Sequence, residues 1–133
     1  MTDRNDKANR IAKHWIGGNW RDSAEHRDSI NPATGEIIGR YAVAGREETA
    51  EAVAVALKVF RETDWKAHPA RRSRVLNEMA DRFEGRATDL IQLLSAENGK
   101  VAAEATLEVS IVPATLRYSA ALVLTDHGRA AER

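Results

Sequence analysis

A chain of 133 residues has the size of one ordinary domain, able to bury roughly two thirds of its surface. Its apolar fraction of 43% and charged fraction of 30% are those of a globular protein, and 20 basic residues balance 20 acidic ones. That balance excludes an electrostatic grip on nucleic acid or on an anionic membrane. The absence of cysteine excludes disulfides, thiolate metal sites and any thiol nucleophile.

Met1 to Arg10 is polar and contains Asp3 and Asp6, which fits neither a secretory signal nor an organelle transit peptide. Residues 1–13 are expected to form a disordered tail. No apolar run reaches the roughly 20 residues of a membrane helix, so a cytoplasmic protein is expected.

From His14 to Val43 the pattern is one of strands and tight turns. Trp15-Ile16 and Trp20-Arg21 flank Gly17-Gly18-Asn19, a cluster able to supply the positive φ values of a hairpin. A second unit follows, with a run ending at Ile30, the turn Asn31-Pro32-Ala33-Thr34-Gly35 and a strand from Glu36 to Val43. Ile37, Tyr41 and Val43 are expected to share one face of that strand, with Ile38 on the other.

Past Gly45 the period becomes helical. Ala50, Val53, Leu57 and Phe60 form a stripe. Glu47 and Glu48 suit the first turn, where carboxylates meet the positive end of the helix dipole. Ala52, Val55, Ala56 and Val59 leave little polar face, so burial on more than one side is expected. A second helix opens at Pro69, which at the first helical position sacrifices no hydrogen bond. Its stripe is Val75, Met79, Phe83, Ala87, Leu90 and Leu94. Gly85 costs about 1 kcal/mol against alanine in a helix interior, which predicts a kink or break there, and Asn98-Gly99 predicts the stop. The last helical stretch, Val101 to Val123, carries Leu107, Ile111, Leu116 and Leu122. Pro113 interrupts it at roughly 3 kcal/mol, predicting a kink or two helices. Asp126 to Arg133 has no periodicity.

Residue chemistry identifies no active site. His14, His26, His68 and His127 show no metal-ligand spacing and read as surface or turn residues. Gly-x-Ser-x-Gly and the glycine-rich phosphate loops are absent. Glu104 and Glu108 stand one turn apart and read as a solvated helix face. Arg71, Arg72 and Arg74 are expected to pair with carboxylates such as Glu78. Trp15, Trp20 and Trp65 are expected to be hairpin and packing residues.

The order of these pieces resembles the N-terminal segment of the NAD(P)-dependent aldehyde dehydrogenase superfamily. Trp15-Ile16-Gly17-Gly18-Asn19-Trp20 is similar to its opening hairpin, and Asn31-Pro32-Ala33-Thr34-Gly35-Glu36 to its first long turn. Gly45-Arg46-Glu47-Glu48 precedes an alanine- and valine-rich helix, and Trp65 lies before the next one. Arg71-Arg72-Ser73-Arg74-Val75-Leu76, Glu97-Asn98-Gly99-Lys100 and Leu116-Arg117-Tyr118-Ser119-Ala120 resemble three further family segments. The likeness covers about His14 to Gly128. Departures are Val101 after Lys100, where the family often has proline, and Pro113 within a helix.

The resemblance implies an α/β fold in which β-hairpins and three to five α-helices cover a Rossmann-like cofactor domain. Residues 14–128 would be part of that domain and 129–133 a truncated end. In the family a cysteine thiolate attacks the aldehyde, an asparagine and a backbone N–H hold the oxyanion, hydride passes to NAD or NADP, and a glutamate-activated water releases the acid. No catalytic and no cofactor-binding residue of that set maps onto this sequence. Some relatives hold a monovalent cation at positions matched by Ser29, Ile30 and Glu97. The expectation is therefore a dehydrogenase segment not catalytic alone. Its partner would be the remainder of such an enzyme or a full-length homologue, with no nucleic acid and no membrane. The alternative is a non-catalytic module that docks onto a full-length relative.

Overall fold

The computed structural model describes residues 11–125. These divide into two compact units, one of residues 11–63 with Leu93–Lys100, the other of Asp64–Gln92 with residues 101–125. The expectations for Asp126 to Arg133, for His127 and for the truncated end at 129–133 lie outside the described residues.

In the first unit, strand β1 (Ile11–Ala12) pairs in parallel with β5 (Ile37–Ala42), which pairs antiparallel with β4 (His26–Ile30). The expected tail of residues 1–13 is corrected by this pairing, because Ile11 and Ala12 are held opposite Arg40 and Tyr41. Residues 1–10 lie outside the described part. Strands β2 (His14–Ile16) and β3 (Asn19–Arg21) form the expected hairpin, turning through Gly17 at φ 60° and Gly18 at φ 80°. Two successive positive φ values are what a two-residue turn needs to follow the strand twist, and only glycine reaches them without strain. Trp15 and Trp20 face each other across the hairpin, edge to face, with ring centres 4.9 Å apart.

The second turn also forms. Asn31 Oδ1 accepts from the N–H of Ala33 at 2.9 Å, and the carbonyl of Asn31 accepts from Gly35 N–H at 2.8 Å. The expected alternation of β5 is interrupted. Ile37 and Tyr41 are exposed, whereas Ala42 is 5% exposed. A register shift between Ser29 and Ile30 skips Ile38, so the alternation counted along the sequence does not carry through the ladder.

Helix α1 (Arg46–Glu62) follows Gly45, whose N–H donates to Glu48 Oε2 at 2.8 Å. The side turned to the β2–β3 hairpin carries Glu48, Glu51, Ala52 and Val55, all half-buried. A Cβ on Gly17 would sit 3.4 Å from Val55 Cγ1, and Arg21 Nε donates to Glu51 Oε1 at 3.1 Å. Ala50, Val53, Leu57 and Phe60, expected to be buried, are exposed, and no residue of α1 is buried.

In the second unit a 3₁₀ turn (Trp65–Ala67) leads into α2 (Pro69–Glu84), which opens at Pro69 as expected. Gly85 separates it from α3 (Ala87–Asn98), which stops before Gly99 and whose residues from Leu93 on are counted with the first unit. Helix α4 (Ala102–Thr125) runs unbroken through Pro113. Of the two expected outcomes, a kink or two helices, the division into two does not occur. Pro113 is buried on the face that packs against α2, so tertiary contact holds the helix across the missing hydrogen bond.

That packed face is built from Ala105, Val109, Pro113 and Ala120, against Ser73 and Ala80 of α2. Ala80 and Ala105 are fully inaccessible. Small residues at the crossing let the two helices approach closely. The longer side chains expected to make the stripe, Leu107, Ile111 and Leu122, are exposed instead. Among the described residues the buried apolar set is Ile16, Ala42, Ala80, Ala105, Val109 and Ala120. This is a thin core of mostly small side chains, below what the chain length allows.

Read as one helix, α4 is long and apolar enough to cross a membrane by length and composition. This corrects the expectation that no stretch qualifies. Its packing onto α2 and the pairing of Arg117 with Asp81 and Glu84 are contacts of a protein interior and surface.

Candidate functional site

Of the sequence-distant side-chain contacts among the described residues, the one between Ser29 and Glu97 joins positions singled out in the sequence. Ser29 Oγ donates to Glu97 Oε1 at 3.2 Å across a sequence separation of 68 residues. Ser29 lies at the β4 irregularity, immediately before Ile30 and the Asn31 turn. Glu97 lies in the last turn of α3, and the Gly99 that follows is at φ 68°, where an added Cβ would meet the Pro32 ring. The positions singled out in the sequence, Ser29, Ile30 and Glu97, thus belong to one unit, with Ser29 and Glu97 in direct contact.

A hydroxyl, a carboxylate and backbone carbonyls are hard oxygen donors suited to a cation. Ser29 and Glu97 supply only two side chains, already bonded to each other. Among the described residues no group of three or more His, Cys, Asp or Glu is placed to hold a metal ion. Glu104 and Glu108 both lie on exposed positions of α4.

The described histidines fall into two polar clusters. Asp22 accepts from His26 Nε2 at 2.7 Å, from Lys13 Nζ at 2.9 Å and from Ser23 N–H at 3.0 Å. His26 first, then Lys13, holds the Asp22 carboxyl well below the usual carboxylate range. Beside it His14 Nε2 bonds Ser23 Oγ at 2.8 Å. Ser, His and Asp are therefore all present, but Asp22 binds His26 whereas Ser23 binds His14. The orienting carboxylate and the candidate base are on different histidines, so no relay to the Ser23 hydroxyl is assembled. This cluster was missed in the sequence. The spacing Asp22-x-x-x-His26 was the available signal, and only the hairpin brings Lys13 and His14 back to it.

His68 pairs with Asp64 at 2.9 Å and is exposed. Arg74 meets Glu78 at 3.8 Å, as expected. Arg71 meets Asp64 at 3.2 Å and lies over the Trp65 ring at 5.9 Å. Arg72 donates to the carbonyls of Trp65 and Lys66, both at 2.8 Å. The arginine cluster thus fastens the 3₁₀ turn to α2 and presents no open cationic site.

The profile of the aldehyde dehydrogenase family matches residues 20–133. The chain is 33% identical over 119 residues to the NADP(+) succinate-semialdehyde dehydrogenase 2 of Schizosaccharomyces pombe, covering 88% of this chain and 24% of that enzyme. It is 39% identical over 100 residues to malonate-semialdehyde dehydrogenase 2 of Geobacillus thermodenitrificans, covering 73% of this chain and 20% of the other. The fold is similar to an NAD-dependent aldehyde dehydrogenase from Sinorhizobium meliloti, with a TM-score of 0.81 and 27% identity over 90% of this chain and 25% of that one. The chain thus spans about a quarter of the length of the proteins it matches.

Proposed function

The chain belongs to the aldehyde dehydrogenase family, as an N-terminal segment of it, and from that premise we propose that it serves the NAD(P)-dependent oxidation of aldehydes to carboxylic acids as the hairpin-and-helix layer of a whole enzyme. The observation that carries this reading is the pair of exposed apolar helix faces. Val53 and Leu57 on α1, and Leu107, Ile111 and Leu122 on α4, face solvent while small residues make the contacts within the chain. Such surface on helices of a soluble α/β enzyme is of the kind that covers a sheet.

On this reading the chain alone binds neither NAD nor NADP and oxidises no aldehyde. Without cysteine it has no thiolate to form the covalent adduct. Ser29, Ile30 and Glu97 hold no ion by themselves and would at most contribute oxygens to a set completed elsewhere. The natural partner is the remainder of such an enzyme, in a cytoplasmic setting, without nucleic acid or membrane. The purified chain, offered a panel of aldehydes with NAD or NADP, should give no reduced nicotinamide above the protein-free rate. Sustained turnover that survives repurification would refute the proposal. Docking onto a full-length relative is a second reading, favoured by the absence of any buried residue in α1. A stable complex with such an enzyme, saturating at a fixed ratio, would select it.

A further inference from the structure

Asn98 ends α3 and Gly99 follows it, and both are exposed. The side-chain amide of an asparagine is a weak electrophile that the backbone nitrogen of the next residue can attack. The attack closes a five-membered ring, and a side chain on the next residue hinders it. Asn98 is the asparagine of this chain that glycine follows. Asn31 precedes Pro32, which has no N–H to attack, and Asn5, Asn9, Asn19 and Asn77 precede residues that carry side chains. We propose that Asn98-Gly99 is a site of spontaneous deamidation, held in check by the last turn of α3, and that its conversion unfastens the end of α3 from the turn after β4.

Two hydrogen bonds restrain the reacting groups. Gly99 N–H donates to the Ser95 carbonyl at 2.9 Å, and Asn98 Nδ2 donates to the Leu94 carbonyl at 3.3 Å. Both belong to the terminal turn, where a helix frays at the smallest cost. Once they open, the Gly99 nitrogen gives its proton to water or hydroxide and bonds to Asn98 Cγ. The Cγ–Nδ2 bond breaks, ammonia leaves and a succinimide remains. Water then adds to one of its two carbonyls. Addition at Cγ gives aspartate, and addition at the former main-chain carbonyl gives isoaspartate, whose main chain runs through Cβ and Cγ. Nothing is oxidised or reduced, and water is the only co-reactant.

The place of the reaction gives it a structural consequence. Either product sets a new carboxylate beside Glu97 at the C-terminal end of α3, where the helix dipole disfavours negative charge. Either also removes the amide donor to Leu94. Isoaspartate further lengthens the main chain by a methylene between two fastened points. On one side Glu97 accepts from Ser29 Oγ at 3.2 Å, and on the other a carbon added to Gly99 would lie 2.9 Å from Pro32 Cγ. The inference rests on this loop alone, independently of the dehydrogenase reading.

The test is incubation of the complete 133-residue chain in mildly alkaline buffer, with peptide mapping by mass spectrometry and enzymatic detection of isoaspartate at intervals. Asn98 should convert ahead of Asn19 and Asn77, and mainly to isoaspartate. Asn77 is the internal control, being exposed and donating to the Ser73 carbonyl at 3.0 Å, but inside α2 and before Glu78. The rate at Asn98 should lie within about tenfold of its rate in concentrated urea, because opening a terminal turn costs little. Asn98→Gln should abolish the conversion in that peptide. Converted chain, separated by ion exchange, should unfold at lower urea than unconverted chain. Ser29→Ala should narrow that gap, since the contact it removes is one that conversion already loosens. An Asn98 that stays intact in the folded chain while converting in urea overturns the proposal, as does conversion of Asn19 or Asn77 ahead of it. A converted chain as stable as its parent, or a gap that Ser29→Ala leaves unchanged, overturns the unfastening.

Discussion

Gly99 is closed in by Pro32: a Cβ built on Gly99 would lie 2.9 Å from Pro32 Cγ. The contact joins the loop after α3 to the turn after β4, next to the hydrogen bond between Ser29 and Glu97. Two penalties therefore add at Gly99, a left-handed φ of 68° and a steric overlap with a ring that cannot swing away. Gly99→Ala should lower unfolding free energy by about 2–3 kcal/mol. Gly18 offers the control, with φ 80° but nothing within 4 Å of its Cβ. Gly18→Ala should lose only about 1 kcal/mol. Equal losses at the two sites in urea titrations would show that the Pro32 contact contributes nothing.

Arg117 makes the densest ionic contact in the second unit. Its Nη1 donates to Glu84 Oε1, and its Nη2 donates to Glu84 Oε2 at 2.8 Å and to Asp81 Oδ1 at 2.7 Å. The hydrogen bonds from Arg117 hold the Glu84 carboxyl below its ordinary value of 4.5. A carboxyl depressed in the folded state stabilises the fold above its unfolded pKa, and that contribution is lost as pH falls through the folded value. Stability should therefore decline with acid from about pH 4.5 downward. Arg117→Gln should flatten this part of the profile, and Arg117→Lys should retain part of it, lacking the planar two-point grip. Both groups are exposed, so added salt should shrink the difference. Identical acid profiles for the parent and Arg117→Gln would dismiss the coupling.

Turns and helix ends were readable because single residues decide them. Gly17-Gly18 sets the hairpin through its φ values, Pro69 opens α2, Gly85 ends it and Gly99 ends α3. Facing was not readable. Periodicity finds the apolar stripe of a helix but not which stripe meets a neighbour, and side-chain size alone assigns the larger residues to the core. In α1 and α4 the contacts within the chain use Val55, Ala105, Val109 and Ala120, while the larger residues point outward. An apolar face destined for a partner looks the same in sequence as one destined for the chain's own core. The parallel pairing of Ile11–Ala12 was invisible for another reason: two residues carry no period. The Ser29–Glu97 contact was expected only through family resemblance, since nothing local in either segment points to the other.

The reversed facing of α4 makes a prediction that separates the two stripes. Ala105 is fully inaccessible against α2, whereas Leu107 is 63% exposed two residues further on. Alanine and leucine differ little in helix propensity, so exchanging them tests packing rather than helix formation. Ala105→Leu forces a larger side chain between two closely approaching helices and should destabilise the chain by about 1–3 kcal/mol. Leu107→Ala removes surface that already meets water and should change stability by less than about 0.5 kcal/mol. Were the leucine stripe the true core, Leu107→Ala would instead lose about 2–5 kcal/mol and Ala105→Leu would be nearly silent. Chemical denaturation of the two variants beside the parent decides between these orders. An undisturbed Ala105→Leu would mean that α4 does not pack on α2 through the Ala105, Val109, Pro113 and Ala120 face.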